Sequence, residues 1–474
     1  MPARPMPSGS VTRLLGALAV SLAMVSAPAP SARAGATPVA APALSFERYV
    51  LSNGLEVILH EDHKTPLVAV NVWYHVGSKD EPAGKNGFAH LFEHVMFQGS
   101  KHVAEDTFFK YLERAGSSDR NGTTNTDRTN YYETLPSNEL ALALWLESDR
   151  MGWLLDHAND DTFKSQRDVV KNERRQNYEN APYGLVIQFI REALYPKDHP
   201  YHRLTIGTPQ DLDAASFQDV TAFFRTWYLP NNATLVVAGD IDKKAARALI
   251  AQYFEAIPRG PDPKPAKGPT PVKLDHEKRL EVEADVELAR VVVTWPTPPQ
   301  FAPGDGELDL LAEVLSSGKT SRLFKRLVYD LQIAQDVSAY QGSSMLSSQF
   351  EVVVTVKKGK DPKTVLKLVD EELAKVREKP PTDDELARAK AKILSNLIFD
   401  AERITSRANA FNAYAHATGD PGWFDKDVAR YERATAADLS KTAATWLAPD
   451  KRIVTIVLPK KGAPRAGRLL EVKP

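Results

Sequence analysis

The sequence predicts an α+β protein made of two copies of one domain, each with helices packed on a mostly antiparallel sheet. Segments of alternating polarity, typical of strands, are interspersed with segments of helical periodicity, and several strand segments are adjacent in the chain. The chain also repeats itself weakly at an offset of 219 residues. Because repetition at one fixed shift indicates a duplicated unit, we expect the two halves to share one architecture.

The repeat is clearest around residues 90–95, which the shift moves onto residues 309–314. The same shift moves residues 216–219 onto residues 435–438. At the positions of His90, Glu93 and His94, the second copy has Asp309, Ala312 and Glu313. Chemistry that needs the imidazoles therefore belongs to the first half.

Length and composition also fit two domains. The chain has 474 residues, of which 43% are hydrophobic and 26% are charged, a balance typical of globular proteins that are too long for one core. Proline recurs through residues 257–273, which predicts an extended, semi-rigid linker that lets the halves move as bodies. We therefore assign residues 45–256 to a first domain and residues 274–464 to a second domain.

The first 34 residues predict a secretory signal peptide. Arg4 and Arg13 precede an apolar run from Leu14 to Ala27, and small residues follow it. The run is short for a bilayer span, and a retained anchor is the alternative. Residues 35–44, rich in Ala and Pro, predict a flexible lead-in. The chain has no cysteine, and export without cysteine is typical of a bacterial periplasm, with secretion as the second choice.

Charge argues against two classes of partner. The formal net charge is −1 and the sequence has no long run of Lys or Arg. We therefore expect no binding to nucleic acid and no stable attachment to a membrane.

Local patterns place the remaining elements. Strands are predicted at residues 47–59 around an Asn53-Gly54 turn, and at 67–76, 130–135, 233–238, 289–295 and 350–356. Helices are predicted at residues 137–151, 161–180, 216–228 and 308–315, and from Thr382 and Thr435 onward. Ser216, Thr382 and Thr435 each precede an acid by three residues, which indicates a capped helix start.

Residues 90–94 form an H-x-x-E-H pattern on a predicted helix. At about 100° per residue, an apolar stripe separates from a polar face; the stripe contains Phe88, Leu91, Phe92, Val95 and Met96. On the polar face, two imidazoles four residues apart can reach one zinc ion. Glu93 lies beside them, where a general base can take a proton from water. The alternative interpretation is a solvated face of an ordinary amphipathic helix.

This pattern and four further segments resemble peptidase family M16, the inverzincins. The further segments are residues 121–132, 147–151, 169–175 and 230–240. The resemblance runs from about Phe46 to Pro459. It implies two homologous halves that form half of a clam-shell chamber, one Zn²⁺ per chain, and a metalloendopeptidase acting on peptides or unfolded polypeptides.

The resemblance also implies a third zinc ligand, Glu173, in a V-V-x-x-E context. A surface carboxylate next to Arg174 and Arg175 is the alternative. Seven residues earlier the family often has a second glutamate that supports the ligands, whereas this chain has Gln166. An amide can hydrogen-bond a ligand but adds no charge.

Substrate binding is implied for Asn121, Gly122 and Thr123. In the family this segment is an edge strand that pairs with an extended peptide. A hairpin turn at Asn121-Gly122 is an equally supported alternative. In both cases Gly122 would let a peptide backbone come close.

The second half departs from the family pattern. Active members carry an Arg and a Tyr seven residues apart, and Val328 and Gln335 stand at those positions, where neither can stabilise an oxyanion as a cation or phenol can. Arg322 and Tyr329 have the same spacing, but Arg322 belongs to the preceding element. We therefore expect a heterodimer in which a second M16-like chain supplies the Arg and Tyr. The alternative is a non-catalytic M16-like assembly subunit.

Overall fold

A computed structural model describes residues 44–473. The predicted signal peptide, and the lead-in up to residue 43, lie outside these residues. All described residues fall in one compact unit. Within this range, no helix has the length and apolar character needed to cross a bilayer.

Residues 44–473 build two six-stranded sheets. The strands of the first sheet are β1 (Glu47–Val50), β2 (Glu56–Glu61), β3 (Leu67–Tyr74), β4 (Asp119–Thr124), β5 (Thr129–Pro136) and β6 (Ala233–Gly239). The strands of the second sheet are β7 (Lys278–Ala284), β8 (Arg290–Thr297), β9 (Ala334–Gly342), β10 (Ser348–Val356), β11 (Ile453–Pro459) and β12 (Arg468–Lys473).

The helices of the described range pack on these sheets or on one another. Those of the first half are α1 (Phe88–Val95), α2 (Phe108–Arg114), α3 (Leu140–Trp153), α4 (Asp160–Arg174), α5 (Val186–Leu194), α6 (Pro209–Asp213), α7 (Phe217–Trp227) and α8 (Lys243–Phe254). Those of the second half are α9 (Asp305–Ser316), α10 (Pro362–Glu378), α11 (Asp383–Glu402), α12 (Ile404–Thr418), α13 (Phe424–Arg433) and α14 (Ala436–Trp446). The capping boxes predicted at Ser216, Thr382 and Thr435 start α7, α11 and α14.

The two sheets have the same topology. Their strand orders are β1-β2-β6-β3-β5-β4 and β12-β7-β11-β8-β10-β9. The pairs β2–β6 and β7–β11 are parallel, and the other neighbours are antiparallel. The predicted α+β fold with two copies of a mostly antiparallel domain is therefore confirmed. The sixth strand comes from opposite ends of the chain, and β12 lies beyond residue 464, where the second domain was predicted to end.

Each half covers one face of the other half's sheet. In one shared cluster, α12 packs on the first sheet through Ile404, Ala408, Phe411 and Ala415. In another, α5 packs on the second sheet through Val186, Ile190 and Leu194. Residues 257–273, the predicted linker, contain no helix or strand. Because both exchanged helices bury apolar side chains across the boundary, the halves are not the separate bodies that the proline pattern predicted.

The apolar stripe of α1 faces the first sheet as predicted. Its members are all buried in the core of the first half, namely Phe88, Leu91, Phe92, Val95 and Met96. The stripe fixes the rotation of α1. The polar face of α1 therefore turns toward β4 and α4, which both contact it.

Candidate metal centre

Helices α1 and α4 bring three potential metal ligands together. Glu173 Oε2 lies 3.6 Å from His90 Nε2 and 3.3 Å from His94 Nε2. One ligand atom from each of the three residues lies within 4.8 Å of the others. The two imidazole rings are 4.9 Å apart and nearly perpendicular. The carboxylate of Glu173 thus faces the histidines and not the neighbouring arginines.

The donor set fits a zinc ion. Tetrahedral zinc binds nitrogen and oxygen at about 2.0–2.2 Å, so its donor atoms are about 3.3 Å apart, close to the separations observed here. Burial, with the nearby His94, lowers the pKa of His90 to about 4, which leaves the ring neutral and able to ligate. The hydrogen bond to His94 lowers the pKa of Glu173, which favours its carboxylate form.

Buried polar groups hold the first turns of α1. A carboxylate oxygen of Glu81 accepts the N–H of Gly87 at 3.0 Å, and the other accepts the N–H of Ala89 at 2.9 Å. Burial raises the pKa of Glu81 to about 8. The Tyr228 hydroxyl donates to the Ala89 carbonyl at 3.3 Å. Because these groups hydrogen-bond to backbone atoms at the start of α1, they fix the position of the helical turn that carries His90.

Helix α4 is fixed at both ends. Asn159 caps its start by accepting the N–H groups of Asp161 and Thr162, each at 3.0 Å. At the other end, the buried Arg174 donates to the Gly207 carbonyl at 2.6 Å. Glu173 precedes this anchored arginine directly, so its side chain has a defined direction toward α1.

Glu93 lies between the histidines and strand β4. Burial raises the pKa of its carboxyl, opposed by a hydrogen bond from Thr124. A Cβ atom at position 122 would lie 3.0 Å from Glu93 Cγ, 3.0 Å from Phe97 Cε2 and 3.1 Å from Tyr131 Cδ1. Glycine at position 122 therefore leaves room for the Glu93 side chain beneath the strand.

Strand β4 is the free edge of the first sheet. Gly122 pairs with Tyr131 of β5 inside the ladder, so a hairpin turn at Asn121-Gly122 is wrong. The turn lies after the strand, where Asn125 Oδ1 accepts the N–H groups of Asp127 at 2.7 Å and Arg128 at 2.9 Å. Since β4 has β5 as its one neighbour in the sheet, its outer edge can accept an added strand.

The predicted contact of Gln166 with a ligand is not made to His90. Gln166 is buried on α4, seven residues before Glu173. Among the described residues, the buried Nδ1 of His90 has no hydrogen-bond partner. A metal-bound imidazole usually donates its second N–H to an acceptor. Gln166 does not provide that acceptor for His90 Nδ1.

The two departures in the second half have different surroundings. Val328 packs against the hydrophobic core of the second half, and Gln335 is exposed. The Arg322 guanidinium donates to both carboxylate oxygens of Glu385 at 2.7 Å, and Tyr329 is 71% exposed. Arg322 is thus committed to a structural ion pair, in keeping with its exclusion as a substrate group.

Sequence reasoning missed a buried ionic cluster behind β4, formed by Glu133, Glu147 and Arg150. The Arg150 guanidinium donates to Glu147 at 3.0 Å and lies 5.1 Å from the Phe97 ring and 4.1 Å from the Tyr131 ring. Both rings line the space that a side chain at position 122 would occupy. The charges at positions 147, 149 and 150 within an apolar helical segment were the available signal.

Two family models match the chain. Residues 56–208 match the one described as Insulinase (Peptidase family M16). Residues 214–393 match the one described as Peptidase M16 inactive domain. The second match begins within the first half.

Individual relatives agree with these matches. The chain is 30% identical over 378 residues to Zinc protease PqqE of Helicobacter pylori, which covers 78% of this chain and 83% of that one. The crystal structure of a protease from Helicobacter pylori superposes with a TM-score of 0.82 at 26% identity, covering 88% of this chain and all 100% of that one. The periplasmic protease PqqL from Escherichia coli has the same fold, with a TM-score of 0.72 at 20% identity, covering 89% of this chain and 48% of that one.

Proposed function

The chain belongs to the M16 family of peptidases, and on that premise we propose that it is a zinc-dependent endopeptidase that cleaves peptides or unfolded polypeptides. The proposal rests on the convergence of His90, His94 and Glu173 within 4.8 Å, next to Glu93 and to a free strand edge. Relatives named zinc proteases support it.

His90, His94 and Glu173 would hold one zinc ion per chain. Three protein ligands leave a further coordination position open, which distinguishes a catalytic from a structural zinc site. Bound zinc supplies a Lewis acid that polarises a peptide carbonyl and makes water more acidic. Gln166 would support this set more weakly than a glutamate does, because it brings no charge.

The remaining roles belong to α1 and β4. An extended substrate would add to the outer edge of β4 through backbone hydrogen bonds at Asn121, Gly122 and Thr123. Glu93 would accept a proton from the attacking water and deliver it to the leaving amine. The hydrogen bond from Thr124 holds the Glu93 carboxyl in place for both transfers.

We further propose that the active form is a heterodimer. Val328 and Gln335 cannot stabilise an oxyanion as Arg and Tyr do, and Arg322 is engaged by Glu385. A second M16-like chain would therefore supply that clamp. Adding such a partner should raise the kcat/KM of peptide hydrolysis at least about 100-fold, the usual effect of one oxyanion donor. Full activity of the purified single chain, unchanged by the partner, would contradict the heterodimer.

The proposed location is the periplasm. The signal peptide predicted at residues 1–34 supports it, and the related PqqL is a periplasmic protease. The mature chain would begin with the lead-in, followed by a catalytic domain at residues 45–256 and a second domain at residues 274–464. Cell fractionation with N-terminal sequencing of the mature chain tests this location.

The function is tested by zinc content and hydrolysis of a quenched fluorescent peptide, measured on the same sample. Chelation should abolish hydrolysis and stoichiometric zinc should restore it. Glu93→Gln should keep the zinc and lose about 10²- to 10⁴-fold in kcat, the contribution of a general base. A non-catalytic assembly subunit would instead keep its partner without zinc, with no hydrolysis in any sample.

A further inference from the structure

A cavity of about 510 Å³ lies between the first sheet and the helices of the second half. From the sheet, Thr123 of β4 and Asn130 of β5 line it, with Arg128 from the turn between them. From the second half, Asp400 and Arg403 line it, and both are largely exposed. The cavity is therefore open to solvent beside the edge strand.

The cavity lies at the same position along β4 as the metal centre, but on the opposite face of the sheet. A Cβ atom at position 122 would lie 3.0 Å from Glu93 Cγ, and Thr124 hydrogen-bonds the Glu93 carboxyl. Thr123, between them, lines the cavity. Because side chains alternate along a strand, a peptide paired with β4 points successive side chains toward the metal face and toward the cavity. Of the two residues that flank the cleaved bond, one must face the cavity.

Arg128 gives this cavity a cation that forms no ion pair with a described residue. Its guanidinium donates to the Thr123 carbonyl at 2.8 Å and to Asn130 Oδ1 at 2.9 Å, and it lies 5.0 Å from the Trp73 ring. Its Nε is buried and has no partner among the described residues. Within residues 44–473, no carboxylate forms an ion pair with it.

The neighbouring charges are engaged elsewhere or lie apart. Asp127 faces Lys79 and accepts the Tyr201 hydroxyl at 2.5 Å. Glu93 lies across the sheet, on the metal face, and interacts with Arg128 at longer range without forming an ion pair. At the cavity itself, Asp400 pairs with Arg403 at 2.7 Å and Arg407 pairs with Asp62.

Asp119, the remaining lining carboxylate, lies four residues before Thr123, about 13 Å along the strand. A carboxylate entering beside Thr123 would therefore meet Arg128 as its nearest free charge.

We infer that this cavity is a substrate subsite for an acidic side chain, with Arg128 as its charge partner, so that the enzyme prefers Asp or Glu at one of the two positions flanking the cleaved bond. The inference rests on the proposed peptidase function. A guanidinium and a carboxylate form charge-assisted hydrogen bonds, which are stronger than neutral ones. A peptide with an uncharged isostere at that position would leave Arg128 without a carboxylate.

The test uses two peptide series that place Glu, Gln or Lys immediately before or immediately after the cleaved bond. In one series, kcat/KM should fall about tenfold or more from Glu to Gln, the loss expected for a charge-assisted hydrogen bond, and further for Lys. Arg128→Met should remove this preference and Arg128→Lys should keep part of it. As a matched control, Arg468→Met removes an exposed arginine of β12 that pairs with Glu283, and should change nothing.

Equal rates for Glu and Gln in both series, or a Glu preference that survives Arg128→Met, would overturn the inference. Since Arg128 also holds the strand carbonyl, the Lys variant and the peptide series on the wild-type protein test the subsite even if the Met variant does not fold. Fluorescence anisotropy of the same peptides with Glu93→Gln separates the two proposals. Glu-selective binding without hydrolysis in any wild-type sample would refute the peptidase and keep the subsite, and hydrolysis without selectivity would do the reverse.

Discussion

The two halves of the molecule place different chemistry on the same helix. In the first half, α1 presents His90, Glu93 and His94 to the edge strand, whereas α9 of the second half has Asp309, Ala312 and Glu313 at the repeated positions. Asp309 accepts the Tyr431 hydroxyl at 2.8 Å, and one carboxylate oxygen of Glu313 is buried without a partner among the described residues. The scaffold therefore orients a polar helix face, and the residue types alone decide whether it can bind metal.

A second contrast lies behind the edge strands. The shift of 219 residues carries the buried Glu133, Glu147 and Arg150 onto Val352, Leu366 and Val369, which belong to the core of the second half. One copy of the fold is thus held together by apolar contacts where the other has charges. Arg150 of this cluster lies against the Phe97 and Tyr131 rings, so we expect the cluster to position these two side chains.

The largest expected effect distinguishes α1 from α9 at the repeated positions 94 and 313. His94→Ala should lose the zinc and at least about 10³-fold in kcat/KM, since a metal supplies several kcal/mol of transition-state stabilisation. Glu313→Ala, its repeat counterpart, should keep both. Zinc content and peptide hydrolysis measure the pair, and equal loss in the two variants would show that the second half shares in the metal chemistry.

The next effect compares two edge-strand glycines. Gly122→Ala would put a Cβ atom 3.0 Å from Glu93 Cγ, so Glu93 would have to shift by a few tenths of an ångström. Because a displacement near 1 Å costs about 10²-fold, we expect kcat to fall by at least about tenfold. Gly342→Ala, on the edge strand β9, meets its nearest atom at 3.5 Å and should change kcat less than about twofold. Zinc content should stay unchanged in both. An undiminished kcat in the Gly122 variant would mean that the base does not need this clearance.

A smaller effect tests the ionic cluster. Arg150→Met alone leaves the buried Glu147 without its cation, beside a Glu133 whose pKa is already raised by burial, and should lower the free energy of unfolding by about 3–5 kcal/mol. Adding Glu133→Val and Glu147→Leu, as in the second half, should recover most of that loss. The triple variant should still lose about tenfold in kcat/KM, because Phe97 and Tyr131 lose the guanidinium between them. Full activity in a stable triple variant would remove the positioning role.

The last effect concerns Asp309, which changes the pH dependence of stability and has the smallest expected effect on activity. Burial, with the neighbouring Asp305, raises the pKa of Asp309 to about 7 from an ordinary value of 3.8. Its contribution to stability is therefore present below about pH 4 and is lost as the pH rises through about 7. Asp309→Asn should flatten the fall in unfolding free energy between these limits, by up to about 4 kcal/mol. Urea denaturation at pH 4.5 and pH 8 measures the difference, and parallel curves for the two proteins would contradict it.

The sequence predicted the features that depend on residues close together in the chain. The stripe on α1 and the caps at Ser216 and Thr435 follow from side-chain spacing within one turn, and the repeat predicted two similar sheets. The packing of α5 and α12 on the sheet of the opposite half could not be predicted, because the apolar face of a helix does not reveal which sheet will cover it. Asn121-Gly122 has turn chemistry, yet Asn125 forms the turn, since its side chain caps the following backbone N–H groups.

The site was predictable in part for the same reason. His90, Glu93 and His94 lie on one helix, where spacing alone fixes their geometry. Glu173 came from the family resemblance, because a ligand on another helix leaves no periodic trace. Arg128 and Arg150 were missed, since burial of a charge depends on tertiary partners that the sequence does not reveal.

X-ray absorption at the zinc edge of the purified chain tests the central claim most directly. The account predicts one zinc per chain with two imidazole nitrogens and one carboxylate oxygen at about 2.0–2.2 Å, and loss of the oxygen contribution or of the metal in Glu173→Gln. A zinc environment that is unchanged in Glu173→Gln, or that keeps its imidazoles in His94→Ala, would contradict it.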